Sequence, residues 1–295
     1  MTPTIPAPRA EGFTTTTARP LYWREDGAAD APPVLLLHGG PGAHHDYLYP
    51  QMLALAESHR VITYDQRGGG QSKIADINAD PTPITWQTQV EDLGAVIREF
   101  GLDGDGGATL VGYSWGALLA MLYAITEVGA ERAQVGRLAL ISPAPITSAW
   151  RREFEAELAR RQSGPEIQAL REQLAASGLR ETDTATFRQR SFELSVAGYF
   201  ADVQQAESLT PFRVTGRVQQ SIWASLGDFD LRDGLRAVTL PVLVLHGRND
   251  PIPLASASAV AEALRGQLVV LESCGHVPYV EQPRALFDAL LPFLS

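Results

Sequence analysis

The sequence predicts an α/β fold, in which a mostly parallel central sheet carries helices on both faces and a helical cap is inserted late in the chain. Three observations predict it. Short apolar runs of strand length recur along the chain, helix-like stretches separate several of them, and this alternation stops in one long, charged segment. Apolar runs without alternation are typical of strands that are buried on both faces, as in a parallel sheet.

The predicted strands of the sheet have the length of ordinary buried strands. They are residues 34–37, 61–64, 108–111, 138–141, 242–245 and 268–271. The stretch RPLYWREDG near the start predicts a further strand in an early hairpin. Residues 88–100 and 117–128 predict helices between strands, and alternation of strand and helix favours a parallel sheet covered on both sides.

The alternation of strand and helix stops between residues 146 and 236. The stretches REFEAELARRQSGPEIQALREQLAASG and TATFRQRSFELSVAGYFADVQQAESL are charged and helical in pattern, and this segment contains no apolar run of the buried-strand kind. We therefore expect residues 1–145 and 237–295 to form the core domain, and residues 146–236 to form a helical cap inserted into it.

Composition narrows the class of protein. The chain has 34 acidic and 24 basic residues, a formal net charge of −10, and no cluster of basic residues that could neutralise a phosphate backbone, which argues against nucleic acid as a partner. The single cysteine, Cys274, excludes an intrachain disulfide and a zinc site built on cysteines. The opening stretch lacks the apolar core of a signal peptide, and no run approaches 18 apolar residues. We therefore expect a soluble, cytoplasmic protein with no membrane contact.

The stretch LVGYSWGALLA carries the strongest chemical signal. It contains a G-x-S-x-G pattern centred on Ser114, with Gly112 and Gly116 on either side. The pattern follows the predicted strand 108–111 and precedes the predicted helix 117–128, which is the setting of a nucleophile elbow. A sharp turn that exposes a strained nucleophile leaves no room for side chains two residues to either side. Ser114 is therefore the predicted nucleophile.

A serine hydroxyl needs a base, usually a histidine that a carboxylate orients. His276 lies in the loop after the last predicted strand, and Asp250 follows the strand before it. Ser114, Asp250 and His276 then stand in the chain order serine, aspartate, histidine. His38 and His246 each end a strand in front of glycine, where a structural role is expected.

Six motifs carry a resemblance to a known family. HGGPG, YDQRGGGQS, TWQTQVEDLGAVIREFGL, GYSWG, LPVLVLHGRND and CGHVPYVEQP follow one another in this order. The chain resembles the α/β-hydrolase superfamily and, within it, the prolyl aminopeptidase (proline iminopeptidase) group of serine peptidases. The resemblance implies removal of amino-terminal proline, or of another small or apolar residue, from short peptides without a metal or cofactor. It also implies that the insert is the family's helical cap.

The glycines of HGGPG are suited to an oxyanion hole. When a serine attacks a carbonyl, negative charge develops on its oxygen, and fixed N–H donors must meet it there. One donor is predicted to be the backbone N–H of Trp115, the residue after the nucleophile, and the other to lie in HGGPG. Gly40 is the first candidate for this second donor, and Gly39 is the alternative.

Substrate binding is predicted less fully. An aminopeptidase must bind a charged amine, which calls for a carboxylate. The resemblance implies that glutamates of the cap supply it, and Glu193 is the first candidate, followed by Glu207. The stretch GRVQQSIWASLGDFDL lacks the glutamate that the family carries there. Three hypotheses therefore stay open. The first is an aminopeptidase, and the second is a hydrolase of small-molecule esters, lactones or carbon-carbon bonds, whose apolar pocket would be lined by Trp115, Trp223, Phe192 and Tyr199. The third is a binding protein on an inactive hydrolase scaffold. No oligomeric state is predicted.

Overall fold

A computed structural model describes residues 4–74, 83–104, 106–127 and 134–295, and an eight-stranded sheet forms its centre. The strands are β1 (Ala10–Phe13), β2 (Tyr22–Asp26), β3 (Pro33–Leu37), β4 (Arg60–Tyr64), β5 (Ala108–Tyr113), β6 (Val135–Ile141), β7 (Val242–Gly247) and β8 (Gln267–Leu271). Their order in the sheet is β1-β2-β4-β3-β5-β6-β7-β8. Only the pairs β1–β2 and β2–β4 are antiparallel among the described strands, so the predicted mostly parallel sheet is confirmed.

The described helices surround this sheet and fill the insert. They are α1 (Trp86–Glu99), α2 (Trp115–Glu127), α3 (Ser148–Gln162), α4 (Pro165–Ala176), α5 (Leu179–Thr182), α6 (Thr184–Val196), α7 (Gly216–Leu226), α8 (Arg232–Arg236), α9 (Leu254–Ala263), α10 (Pro278–Glu281) and α11 (Pro283–Leu294). Among them, none is both long and apolar enough to cross a membrane.

The sheet carries a hydrophobic core on each face. Alternate residues of a strand point to opposite sides, so Leu35 and Leu37 of β3 belong to one core, whereas Val34 and Leu36 belong to the other. Helices α1, α2 and α9 complete the first core. Helix α11 and the 3₁₀ helix Gln51–Glu57 complete the second, so helices cover both faces as predicted.

The six predicted apolar strands all lie within β3 to β8, and the predicted early hairpin consists of β2 paired with β1. Helix α1 begins two residues before its predicted start, because Thr85 and Thr88 form a reciprocal capping box there. The predicted end of the next helix, Val128, lies outside the described residues.

The segment between β6 and β7 contains helices α3 to α8 and, over its described residues 142–241, no strand. Helix starts here follow local signals: the Thr147 side chain accepts a hydrogen bond from the Trp150 N–H, and Pro165 opens α4. A helical insert is therefore present. Its exact limits at residues 146 and 236, as a separate domain, stay a prediction.

The fold gathers the predicted chemical groups at one edge of the sheet. Ser114 directly follows β5, whereas Asp250 and His276 lie in the loops after β7 and β8. Gly39 and Gly40 follow β3. Because these four strands are parallel, their carboxyl ends meet at the same edge, which is where open α/β sheets bind ligands.

Candidate active site

Ser114 occupies a strained turn between β5 and α2. Its φ angle is +53°, in the left-handed region that residues other than glycine rarely adopt. Hydrogen bonds of both backbone groups hold this conformation. The Ser114 N–H donates to the carbonyl of Ile141 at 2.9 Å, and the Ser114 carbonyl accepts the N–H groups of Ala117 and Ala144, each at 3.1 Å. Such strain costs on the order of 1–3 kcal/mol and is found at active sites.

The two glycines of the G-x-S-x-G pattern have a steric reason. A Cβ on Gly116 would overlap the carbonyl oxygen of Leu37 and lie 2.7 Å from that of His38. A Cβ on Gly112 would lie 2.6 Å from the Cα of Ala117. The first turn of α2 can therefore approach β3 and β5 this closely only because both positions lack side chains.

The structure brings Ser114, His276 and Asp250 into one hydrogen-bonded chain. The Nε2 atom of His276 lies 3.0 Å from the Ser114 Oγ atom, and its Nδ1 atom lies 2.8 Å from the Asp250 Oδ2 atom. The Oδ1 atom of Asp250 accepts the backbone N–H of Ile252 at 2.7 Å. The histidine is therefore in contact with both other groups, and the carboxylate is held in place from its far side.

Burial and charge act in opposite directions on the Asp250 carboxylate. Burial alone would raise its pKa, but the neighbouring His276 and His246 and the hydrogen bonds from His276 and Ile252 lower the pKa overall. The side chain of Asp250 is fully buried, whereas Ser114 is partly exposed. The site therefore pairs a buried carboxylate, whose lowered pKa favours the ionised form, with a partly exposed hydroxyl.

The glycine loop after β3 passes directly against Ser114. Gly40 has a φ angle of +61° and lines the same cavity as Ser114 and Trp115. A Cβ on Gly39 would lie 2.8 Å from the Ser114 Cβ atom and 3.0 Å from the Tyr47 hydroxyl. The predicted donors Gly40 and Trp115 are thus brought to the nucleophile, and the loop can come so close only because Gly39 has no side chain.

Two cavities meet at Ser114 and His276. The larger has a volume of about 630 Å³ and is lined from the cap by polar and aromatic side chains, which include Arg151, Phe154, Glu155, Tyr199, Gln219 and Trp223. The smaller, of about 100 Å³, is largely apolar, and its lining includes Tyr47, Tyr113, Phe200, Leu209 and Phe212. A substrate bound at Ser114 could therefore extend into a larger space that contains the charged side chains of Arg151 and Glu155, and into a smaller apolar one.

The predicted substrate-binding residues are only partly brought together. Trp223 lines the larger cavity. Glu193 lines neither cavity, and its carboxylate accepts hydrogen bonds from Arg190 at 2.7 Å and Gln189 at 3.0 Å. Glu207 is largely exposed and lies 3.7 Å from Arg190.

Sequence reasoning missed Arg151 and Glu155. Arg151 donates to Glu155, four residues later on α3, at 2.9 Å, and its guanidinium lies 4.2 Å from the ring centre of Trp223. The spacing of four residues could have predicted the ion pair. It could not predict that this face of α3 lies over the nucleophile. Among the described residues, no cluster of histidine, cysteine or acidic side chains could hold a metal ion.

Comparison with known proteins agrees with this fold. The family model described as "Alpha/beta hydrolase family" matches residues 34–289. A proline iminopeptidase of Lactobacillus delbrueckii subsp. bulgaricus is 30% identical over 285 residues, which cover 90% of each chain. Among solved structures, a proline iminopeptidase of Mycobacterium smegmatis matches with a TM-score of 0.66 and 21% identity over 97% of each chain. The 2-hydroxy-6-oxo-6-phenylhexa-2,4-dienoate hydrolase of Rhodococcus sp. strain RHA1 matches with a TM-score of 0.67 and 21% identity over 98% of this chain and 99% of the other.

Proposed function

The chain belongs to the alpha/beta hydrolase family and resembles its proline iminopeptidases, and from this premise we propose that it is a serine hydrolase with Ser114 as its nucleophile. One observation carries the proposal: the hydrogen-bonded chain from Ser114 through His276 to Asp250, with distances of 3.0 and 2.8 Å. A serine hydroxyl becomes a useful nucleophile only when such a base takes its proton.

In the proposed mechanism, the Ser114 oxygen attacks the substrate carbonyl while His276 Nε2 takes the hydroxyl proton. Asp250 keeps the other ring nitrogen protonated and stabilises the imidazolium that forms. The N–H groups of Trp115 and Gly40 are the proposed donors to the oxyanion. His276 then gives its proton to the leaving group, and water, activated by the same histidine, releases the acyl group from Ser114.

We propose that the preferred substrates are short peptides with a free amino terminus, from which proline or a small apolar residue is released in the cytoplasm. The proline iminopeptidase of Lactobacillus delbrueckii subsp. bulgaricus supports this choice, since it is 30% identical over 90% of both chains. The larger cavity also supports it. Glu155 is the one carboxylate among the described residues that line this cavity, and a charged amine needs such a partner.

A second function, hydrolysis of a small ester, a lactone or a carbon-carbon bond, has its own supporting observation. The Glu155 carboxylate is already paired with Arg151, which weakens its attraction for an amine. Arg151 also lines the larger cavity, where its guanidinium could bind a substrate carboxylate.

Labelling with a fluorophosphonate probe tests the nucleophile. We expect the wild-type protein to be labelled and Ser114→Ala to lose all labelling, because only an activated serine reacts with this probe. Ser142→Ala is the matched control, since Ser142 is a buried serine that also has a positive φ angle, of 43°. Equal labelling of wild type and Ser114→Ala would show that the proposed nucleophile is wrong.

Rates on two substrate classes separate the two functions. An aminopeptidase should cleave proline p-nitroanilide and lose this activity when the proline nitrogen is acetylated. The second function predicts rapid cleavage of short p-nitrophenyl esters and no cleavage of either anilide.

A further inference from the structure

A buried glutamine joins the two sides of the proposed oxyanion hole. Gln66 is 1% exposed and lies in the loop after β4. Its side-chain oxygen accepts the indole N–H of Trp115 at 2.8 Å, and its side-chain nitrogen donates to the carbonyl of His38 at 2.7 Å. An indole can only donate and a carbonyl can only accept, so the amide can have one orientation alone. Gln66 thus spans from the elbow to the glycine loop.

The backbone of Gln66 makes a third contact, which fixes the tautomer of His38. The Gln66 N–H donates to His38 Nε2 at 3.1 Å, so the ring proton must be on Nδ1. His38 Nδ1 lies 2.8 Å from the carbonyl oxygen of Gly39 and donates to it. Burial lowers the pKa of His38 to about 4, so the ring stays neutral near pH 7 and this arrangement persists.

The Gly39 carbonyl and the Gly40 N–H belong to the same peptide plane and point in opposite directions across it. A hydrogen bond that fixes the Gly39 carbonyl therefore fixes the direction of the Gly40 N–H as well. On the other side, the indole bond restrains Trp115, whose own N–H is the second proposed donor.

We infer that Gln66 is a positioning residue that sets the direction and separation of the two oxyanion donors, through Trp115 on one side and His38 on the other. The inference rests on the proposed function, because it requires an oxyanion at Ser114. Oxyanion donors act at fixed geometry, and a displacement of about 1 Å can lower a rate on the order of 100-fold.

The test compares Gln66→Met with Gln89→Met. Gln89 is also fully buried and donates to the carbonyl of Arg67, in the same loop, at 3.1 Å, but this hydrogen bond involves neither Trp115 nor the glycine loop. On p-nitrophenyl butyrate, we expect Gln66→Met to lower kcat about 10- to 100-fold with KM within about twofold. Affinity for an alkyl boronic acid, which forms a tetrahedral adduct with the serine, should fall in parallel. Gln89→Met should have a kcat within about twofold of wild type and a Tm similar to that of Gln66→Met.

A second variant covers the case in which Gln66→Met does not fold. Trp115→Phe keeps the backbone N–H but removes the indole donor, and we expect its kcat to fall as well. If Gln66→Met folds and has a wild-type kcat, the inference is overturned. If Gln66→Met does not fold, a wild-type kcat in Trp115→Phe overturns it. Failure of the proposed function looks different, since wild-type protein would then show no ester hydrolysis that depends on Ser114.

Discussion

At the scale of single residues, Asp250 determines which nitrogen of His276 carries the proton. One oxygen of Asp250 faces His276 Nδ1 at 2.8 Å, and the other accepts the Ile252 N–H at 2.7 Å. The ring must therefore be protonated on Nδ1, which leaves Nε2 free to accept the proton of Ser114. In the proposed mechanism, the direction of proton transfer thus depends on Asp250, a carboxylate that does not touch the proposed nucleophile.

Asp250→Asn should lower kcat by about 10³- to 10⁴-fold with little change in KM. The asparagine oxygen has to accept from Ile252, so its NH₂ group faces His276 and forces the proton onto Nε2, where it cannot act as a base. Steady-state rates on a p-nitrophenyl ester measure the effect. Near-wild-type kcat in this variant would show that Asp250 does not orient the base.

At the scale of structural elements, Glu281 in α10 joins the histidine loop to the cap. Its carboxylate accepts backbone N–H groups of Gly275 at 2.9 Å and Val277 at 3.0 Å, on either side of His276. It also accepts the N–H of Ala201, in the cap segment, at 2.8 Å. One side chain therefore holds together a loop of the core and the insert beside His276, the proposed base.

Burial raises the pKa of Glu281, although its three N–H partners act in the opposite direction. The pKa of Glu281 in the folded protein therefore lies above its unfolded value of 4.5. The stabilising contribution of this group is complete below pH 4.5 and is lost as the pH rises through the folded pKa. The free energy of unfolding of wild type, minus that of Glu281→Gln, should therefore decrease as the pH rises above 4.5. Urea denaturation at each pH measures this difference.

Glu272→Gln is the matched control, with the opposite sign. A hydrogen bond from Arg248 lowers the pKa of Glu272, so the corresponding difference should rise slightly with pH. The effect is small because both side chains are exposed. A difference for Glu281 that stays constant or rises with pH would contradict the expected cost of burying its charge.

Elements that form from local pattern could be predicted from the sequence, whereas contacts between distant segments could not. The buried strands are apolar runs, and Ser114, Asp250 and His276 each follow one of them. Because parallel strands end at the same edge of the sheet, the sequence could predict that these three residues lie close together. Strand β1 has alternating burial and no apolar run, so no pattern marked it separately. Glu193 was chosen by its place in the cap, and its spacing of three residues from Arg190 on α6 could have indicated their ion pair. The sequence does not indicate which face of α6 turns toward the cavities.

At the scale of the whole molecule, loops of the sheet domain carry the proposed catalytic groups, and the insert covers them. The core loops provide Ser114 and His276, whereas α3 and α7 provide the polar and aromatic wall of the larger cavity. Specificity therefore depends on which face of each cap helix turns toward the nucleophile. Residues 216–231 lack the expected glutamate, and the carboxylate that the structure presents instead is Glu155, from a different helix.

Glu155→Gln tests whether the cap selects a free amine. The Glu155 side chain is 54% exposed and its partner Arg151 is 27% exposed, so both can be reached by a substrate. If Glu155 binds the amine, loss of its charge should lower kcat/KM on proline p-nitroanilide about 10-fold or more, the usual size of a charged hydrogen bond, and leave ester hydrolysis within about twofold. Glu153→Gln, on an exposed part of the same helix, should change neither rate.

The opposite result favours the second function. The change to glutamine also releases Arg151 from its ion pair, which should improve binding of an ester that bears a carboxylate. A lower KM for such an ester, with an unchanged rate on the anilide, would mean that the cation of the pair selects the substrate. The pair on α3 would then direct the same triad toward acidic small molecules instead of peptides, with no change in the core.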